Sequence, residues 1–210
     1  MDASSGKTMA VKMTSSSESC ATTSEGNSMT GHVFNTSVFQ SYNITSASGT
    51  WTFTTSAPIS CPTNFTMFSR SLGLWCIGVF SMGQAVCVTQ QDSLQLCSDD
   101  YGGVLSGLET LEEFQFVVAT GRSFLGLQTT YQRYGYWING ARNTSCMAPA
   151  KKSAACNGTN EFTFTDPLLS TYGGYIWADG QPSGIVNNPS TSNCLQLYFN
   201  STSILGVDDY

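Results

Sequence analysis

The stretch FTFTDPLLSTYGGYIWADGQP, residues 162–182, sets the terms for reading the rest of the chain. Phe162 to Thr165 and Tyr175 to Trp177 read as short strands broken by Pro167 and the Gly173-Gly174 pair. Apolar content then almost stops. From Ala178 to Asn193 the residues are mainly Gly, Pro, Asn and Ser, the composition of a long surface loop. Tyr134 to Ile138 upstream and Leu195 to Phe199 downstream read as further short strands, so this half of the chain is strand and loop.

Helices are expected earlier. Leu108, Leu111, Phe114, Val117 and Val118 recur at helical spacing and predict a helix over 109–120, with Glu109, Glu112 and Glu113 complementing its dipole. A second helix is compatible with residues 84–98, where Ala85, Val86, Val88, Leu94, Leu96 and Cys97 supply the apolar positions, ending before Gly102-Gly103. Residues 61–80 predict a hairpin, with Phe65, Phe68, Leu72, Leu74, Trp75, Ile77, Val79 and Phe80 broken by Gly73 and Gly78. Two helices followed by short strands give an α+β domain of about 150 residues, large enough to bury roughly 68–70% of its unfolded surface.

Before Cys61 the composition changes. Residues 1–60 hold 25 Ser or Thr and few large apolar side chains, so this arm should be mostly disordered or a glycosylated stalk. Val33 to Phe53 is the exception, with enough Val, Phe, Tyr, Ile and Trp for one or two strands.

Composition narrows the function. Net charge is −6 with 8 scattered Lys and Arg, which leaves no basic patch for a nucleic-acid backbone. No apolar run reaches the roughly 18 residues of a membrane-spanning helix. The one histidine, His32, lies in the arm, and neither G-x-S-x-G nor H-E-x-x-H occurs, so an enzyme is not expected. Asp99-Asp100, Glu112-Glu113 and Asp208-Asp209 are adjacent acids, and adjacency on a helix does not face two carboxyls together, so solvated surface is the better reading.

Polarity comes instead from 54 Ser and Thr and 12 Asn, with six N-x-[ST] sequons at Asn35, Asn43, Asn64, Asn143, Asn157 and Asn200. Eight cysteines on such a chain read as a disulfide framework in an oxidising compartment, since their spacing fits no zinc finger or ribbon. The expected localisation is secreted or extracellular, although MDASSGKTMAVKM at the N-terminus lacks the 7–15-residue apolar core of a signal peptide.

Five pieces in order resemble the C-type lectin-like domains, particularly their divergent nematode branch. They are CPTNFTMFSRSLGLWC (61–76), LCSDDYGGVLSGLETLEEFQF (96–116), YWINGAR (136–142), the stretch 162–182, and NCLQL with LGVDD (193–197 and 205–209). The resemblance spans Cys61 to Tyr210 and implies an α+β fold of two helices and two small antiparallel sheets with a projecting long loop. It implies disulfides Cys61–Cys76 and Cys146–Cys156. It leaves Cys97 and Cys194 without their usual mates beyond Tyr210, so the C-terminal end looks missing, and it gives Cys20 and Cys87 no counterpart.

The resemblance also implies a ligand site. Its members bind calcium and sugar through a tripeptide around a cis proline, a later Glu, and an Asn-Asp pair. Here these positions read Gln181-Pro182-Ser183, no Glu before Cys194, and Asp208-Asp209 after Val207. Ser183 replaces a carboxylate with a hydroxyl, so Gln181, Asp208 and Asp209 are expected to form at most a weak or degenerate calcium site. Asn187 and Asn188 are possible helpers, and Trp177 or Tyr175 could stack on a sugar. The competing reading has Gln181-Pro182 shaping the loop, Asp208-Asp209 capping a strand, and Trp75 and Trp137 in the core. The chain is expected to recognise a glycan or an extracellular protein through the long-loop face; the alternative is a structural or matrix glycoprotein.

Overall fold

The computed structural model describes residues 28–34, 38–47, 50–81, 88–125, 133–147, 152–183, 192–200 and 203–210. The chain divides into two compact units, residues 1–68 and 69–210.

In the first unit, Ser28–Phe34 (β1), Val38–Ala47 (β2) and Thr50–Thr55 (β3) form an antiparallel sheet in that order, and Ile59–Ser60 (β4) also pairs with β2. The sequence led us to expect one or two strands in an otherwise unfolded arm; residues 28–60 instead form four. The reason is local chemistry. Thr is β-branched and suits a pleated strand, and β3 alternates it with Trp51 and Phe53. Hydroxyls also bond across the sheet: Ser41 Oγ lies 2.9 Å from Ser56 Oγ, and the Gln40 amide donates to Ser56 O at 2.8 Å. His32 sits in β1 opposite Ser41. Residues 1–27, with Cys20, lie outside the described residues.

Thr66–Arg70 (β5) and Gly73–Ile77 (β6) make the expected hairpin. The second unit carries two helices and an antiparallel sheet. Gln90–Asp99 (α1) starts later than the expected 84, because Thr89 caps it. The Thr89 hydroxyl takes the Asp92 N–H at 3.1 Å and the Asp92 carboxylate takes the Thr89 N–H at 2.8 Å, a capping box legible in the sequence as T-x-x-D. Residues 82–87, with Cys87, lie outside the described residues. Leu111–Leu125 (α2) starts two residues after the expected position and runs five further.

Arg133–Arg142 (β7), Phe162–Thr163 (β8), Cys194–Asn200 (β9) and Ile204–Asp209 (β10) form a sheet in the order β10-β9-β7-β8. Tyr175–Trp177 is not a full strand; only Trp177 bridges, to Val207. In β9 every second residue is buried, and Leu195, Leu197 and Phe199 are 0% exposed. This period of two places the core on one face of the sheet. α2 closes over that face. Gly121 of α2 packs close against it, since a Cβ there would stand 2.5 Å from Phe199 Cζ.

The acid pairs depart from expectation. Asp99 and Asp100 are exposed, but Glu113 and Asp209 are buried. Arg70 donates to both Glu113 oxygens, at 2.8 and 2.9 Å, and to both Asp166 oxygens, at 3.0 and 2.9 Å. Glu109 does not sit in the helix either. Its carboxylate takes the N–H groups of Ser71 and Ser170 at 3.0 and 2.9 Å, stapling the turn between β5 and β6 to the 166–171 segment.

One glycine fixes where the loop face begins. Gly206 has φ +119, and a Cβ there would lie 2.5 Å from Ala178 N. That contact is the crossing at which Val207 N–H bonds Ile176 O at 2.7 Å and Ala178 N–H bonds Val207 O at 2.9 Å. Gly206→Ala should therefore strain both the backbone and the crossing and cost about 1–3 kcal/mol. A urea midpoint within error of the parent would refute this.

Candidate functional site

The polar stretch predicted as the long loop is entered through a fixed segment. Gln181–Pro182 is a cis bond and Pro182 is buried. The Gln181 N–H bonds Ala178 O at 3.0 Å, and the Pro182 carbonyl accepts from Lys152 Nζ at 2.7 Å. The Ser183 N–H bonds Asp209 Oδ1 at 2.7 Å.

Asp209 is in turn held by Arg142, the last residue of β7, and Arg142 also pairs with Glu161. The Glu161 carboxylate takes Lys152 on its other oxygen. Both arginine partners are fully enclosed, and Lys152 keeps 35% of its side chain exposed. Arg142 Nε donates to Ser192 O at 3.0 Å, and the Arg142 N–H to Asn193 O at 2.8 Å. Ser183 and Ser192, which bracket residues 184–191, are thus both tied to one Arg142–Asp209 pair. Sequence reading missed Arg142, Lys152 and Glu161. Nothing periodic marks an ion pair whose partners stand 67 residues apart.

The same guanidinium lies 4.8 Å over the Phe162 ring, and Phe162 stacks with Trp177 at 6.0 Å. Trp177 is half-buried, between exposed Ile176 and half-buried Ala178. Trp75 and Trp137 are half-buried too, and their indoles donate inward, to Ser106 Oγ at 2.9 Å and Val88 O at 2.8 Å.

Of the predicted site residues, the structure joins Trp177, Pro182, Ser183 and Asp209 through Arg142 and its partners. Asp208 is not joined to them. Strand alternation turns it to the other side of β10, where Gln196 Nε2 reaches its Oδ2 at 3.4 Å and its Oδ1 is buried without a partner. Gln181 Oε1 is likewise buried and unpartnered. Asn187 and Asn188 lie outside the described residues.

Calcium takes six to eight oxygens, several of them carboxylate. Asp209 already gives one oxygen to Ser183 and one to Arg142, and Glu161 gives its two to Arg142 and Lys152. Among the described residues, what remains beside them is neutral: Gln181 Oε1, Asn193 Oδ1 and the Ser183 hydroxyl, with two protein cations in the same network. The donor set of the described residues does not fit a calcium ion.

Burial, and then the neighbouring Asp209, push the Asp208 carboxyl above the ordinary carboxylate range. Between the ordinary value and the raised one, the folded protein keeps a proton that the unfolded chain releases. Stability contributed here is therefore lost as pH rises through that window. Asp208→Asn should raise Tm by a few degrees at most at neutral pH and by less at pH 4, read from melts across that range. A variant that melts lower than the parent at neutral pH would contradict the assignment.

The cysteines follow the expected frame where they are described. Cys146 and Cys156 are bridged with Cα atoms 5.5 Å apart, and Cys61 and Cys76 are each disulfide-bonded. Among the described residues Cys97 and Cys194 have no disulfide partner, and burial pushes both thiols up.

Residues 63–206 match the family described as C-type lectin domain-containing protein 141/158, well over half of the chain. Comparison with curated proteins and with solved structures gave no match.

Proposed function

Because the chain belongs to the C-type lectin domain-containing protein 141/158 family, we propose that it is an extracellular recognition module binding a glycan or a protein through its long-loop face, without an obligatory calcium ion. The observation that carries this reading is the clamp on that face. Ser183 and Ser192, at the two ends of the loop, bond to the same buried ion pair, so both ends are fixed without a metal. Fixed ends lower the ordering cost that a binding loop would otherwise meet when it engages a ligand.

The surface beside the clamp suits a sugar or a peptide. Trp177 offers a half-buried ring next to Ile176, which is 44% exposed, and Ser183 and Gln181 add polar groups. An aromatic face flanked by amides and hydroxyls can stack on the apolar face of a sugar ring and hydrogen-bond its hydroxyls.

C-type lectin-like domains are in general not enzymes, and no helix of the described residues is long and apolar enough to cross a membrane. The disulfides agree with an oxidising compartment. The test is a glycan array read with calcium and with a chelator. Binding that survives the chelator and is lost in Trp177→Ala supports the reading. Binding that needs calcium overturns the metal-free part. No binding on a broad array, nor to extracellular protein extracts, favours the structural or matrix alternative.

A further inference from the structure

Sequons alone do not say which asparagines can carry a glycan once the chain has folded. An N-glycan is a bulky, solvated group attached to Nδ2, so its asparagine must point into water and its amide must not be needed elsewhere. The structure separates four of the six candidates by this criterion; Asn35 lies outside the described residues, as do Ser201 and Thr202 of the Asn200 sequon.

Asn43 fails it. It lies in β2, the strand paired on both sides, opposite Thr30 of β1 and Thr54 of β3, and its Oδ1 is buried without a partner. Asn143 fails it too. It is half-buried, its Nδ2 donates to Asn160 O at 3.0 Å, and its Oδ1 accepts from the Thr163 hydroxyl. Its N–H bonds Glu161 O at 2.7 Å, so the whole residue is built into the junction behind the Arg142–Glu161 pair.

Asn64 and Asn157 meet the criterion, and for the same structural reason. Each is exposed and each sits in a turn. Asn64 has φ 68 inside the turn that Phe65 N–H closes on Pro62 O at 3.1 Å. Asn157 precedes the short 3-10 turn Gly158–Glu161 and makes no side-chain cap there. Neither amide makes a side-chain hydrogen bond among the described residues.

We propose that Asn64 and Asn157 are N-glycan acceptors of this protein and that Asn43 and Asn143 are not. The inference rests on the extracellular reading above. In the transfer, Asn Nδ2 forms a bond to the anomeric carbon of an oligosaccharide carried on a lipid pyrophosphate. The bond from that carbon to the pyrophosphate oxygen breaks, the lipid pyrophosphate leaves with the electron pair, and Nδ2 loses one proton. Nothing is oxidised or reduced.

The Asn157 glycan has a consequence for the binding face. A Cβ at the next residue, Gly158, would lie 3.8 Å from Trp177 Nε1, so a sugar chain on Asn157 starts at the rim of the Trp177 surface. Its removal should alter access of large ligands there, and Asn64 should have no such effect.

The experiment uses the full chain behind a cleavable secretion leader, with one added unstructured sequon at the N-terminus, expressed in a eukaryotic secretory host. Peptide mapping after glycosidase release marks each occupied Asn as Asp. Occupancy is expected at the added sequon, Asn64 and Asn157, with Asn64→Gln and Asn157→Gln each removing one glycan from the intact mass. An occupied added sequon with Asn64 or Asn157 bare, or with glycan on Asn43 or Asn143 of the folded secreted protein, overturns the proposal alone. A chain whose added sequon is glycosylated, so that it has entered the secretory pathway, but which is retained and degraded there and not secreted folded overturns the extracellular reading and the proposal with it.

Discussion

Arg70→Ala should leave residues 69–210 without a stable fold, the largest single-site loss expected in the protein. The Arg70, Glu113 and Asp166 side chains are all 0% exposed, and the guanidinium satisfies both carboxylates in bidentate fashion. It also donates to Gly107 O at 3.0 Å and lies 4.9 Å over the Trp75 ring. Removing it strands two buried carboxylates against no counter-charge. Breaking one buried pair in this way costs about 3–5 kcal/mol, against a typical total stability of about 5–15 kcal/mol. Here two pairs break at once.

The cost belongs to the stranded charges, which gives the prediction a second arm. Arg70→Met combined with Glu113→Gln and Asp166→Asn removes all three charges, and should be more stable than Arg70→Ala despite changing more residues. Arg70→Lys keeps a cation but loses the planar fork, and should fall between the parent and Arg70→Ala. Urea unfolding followed by tryptophan fluorescence reads the series. Arg70→Ala melting within about 1 kcal/mol of the parent would show that the pairs contribute little and would end this account.

How much of this was legible in the sequence differs by type of signal. Short-range patterns could be read. Cys146 and Cys156 frame their loop, Leu195, Leu197 and Phe199 alternate into the core, and Gln181-Pro182 forms the fixed entry to the long loop. The start of α1 was legible too, since Thr89 and Asp92 spell a capping box, and apolar residues at 84–88 drew the helix too early. The β1–β4 sheet was obscured because Ser and Thr richness resembles low complexity, yet the same Thr residues favour strands. Long-range charge pairing left no pattern. Arg70 meets Asp166 across 96 residues and Glu113 across 43, and only the folded chain brings them together. Adjacent acids such as Glu112-Glu113 therefore looked alike on paper, while one of the two is in water and the other is locked in the core.

The second large effect concerns Arg142 and the proposal that the loop face works without calcium. The melting temperature of the parent protein should move by no more than about 1 °C between excess calcium and chelator. A working site would behave differently: at a calcium concentration 100 times its dissociation constant, binding adds about 2.7 kcal/mol, or roughly 8 °C for a domain of this size. The two protein cations explain the expected silence. Arg142 and Lys152 already neutralise Asp209 and Glu161, and the Lys152 bond to Pro182 O and the Asp209 bond to the Ser183 N–H hold the loop entry that an ion would otherwise cross-link. Arg142→Ala should cost about 3–5 kcal/mol, because it takes from buried Asp209 the guanidinium that balances its charge and leaves Glu161 with the partly exposed Lys152. Lys152→Ala should cost about 1 kcal/mol or less, since its side chain is 35% exposed and solvent screens it. That asymmetry separates a buried clamp from a general loss of positive charge, because each variant removes one cation and only one should weaken the fold severely. A parent protein that calcium stabilises by several degrees, with the gain abolished in Asp209→Asn, would mean that the ion displaces Arg142 from Asp209, and the metal-free reading of the loop face would fall with it.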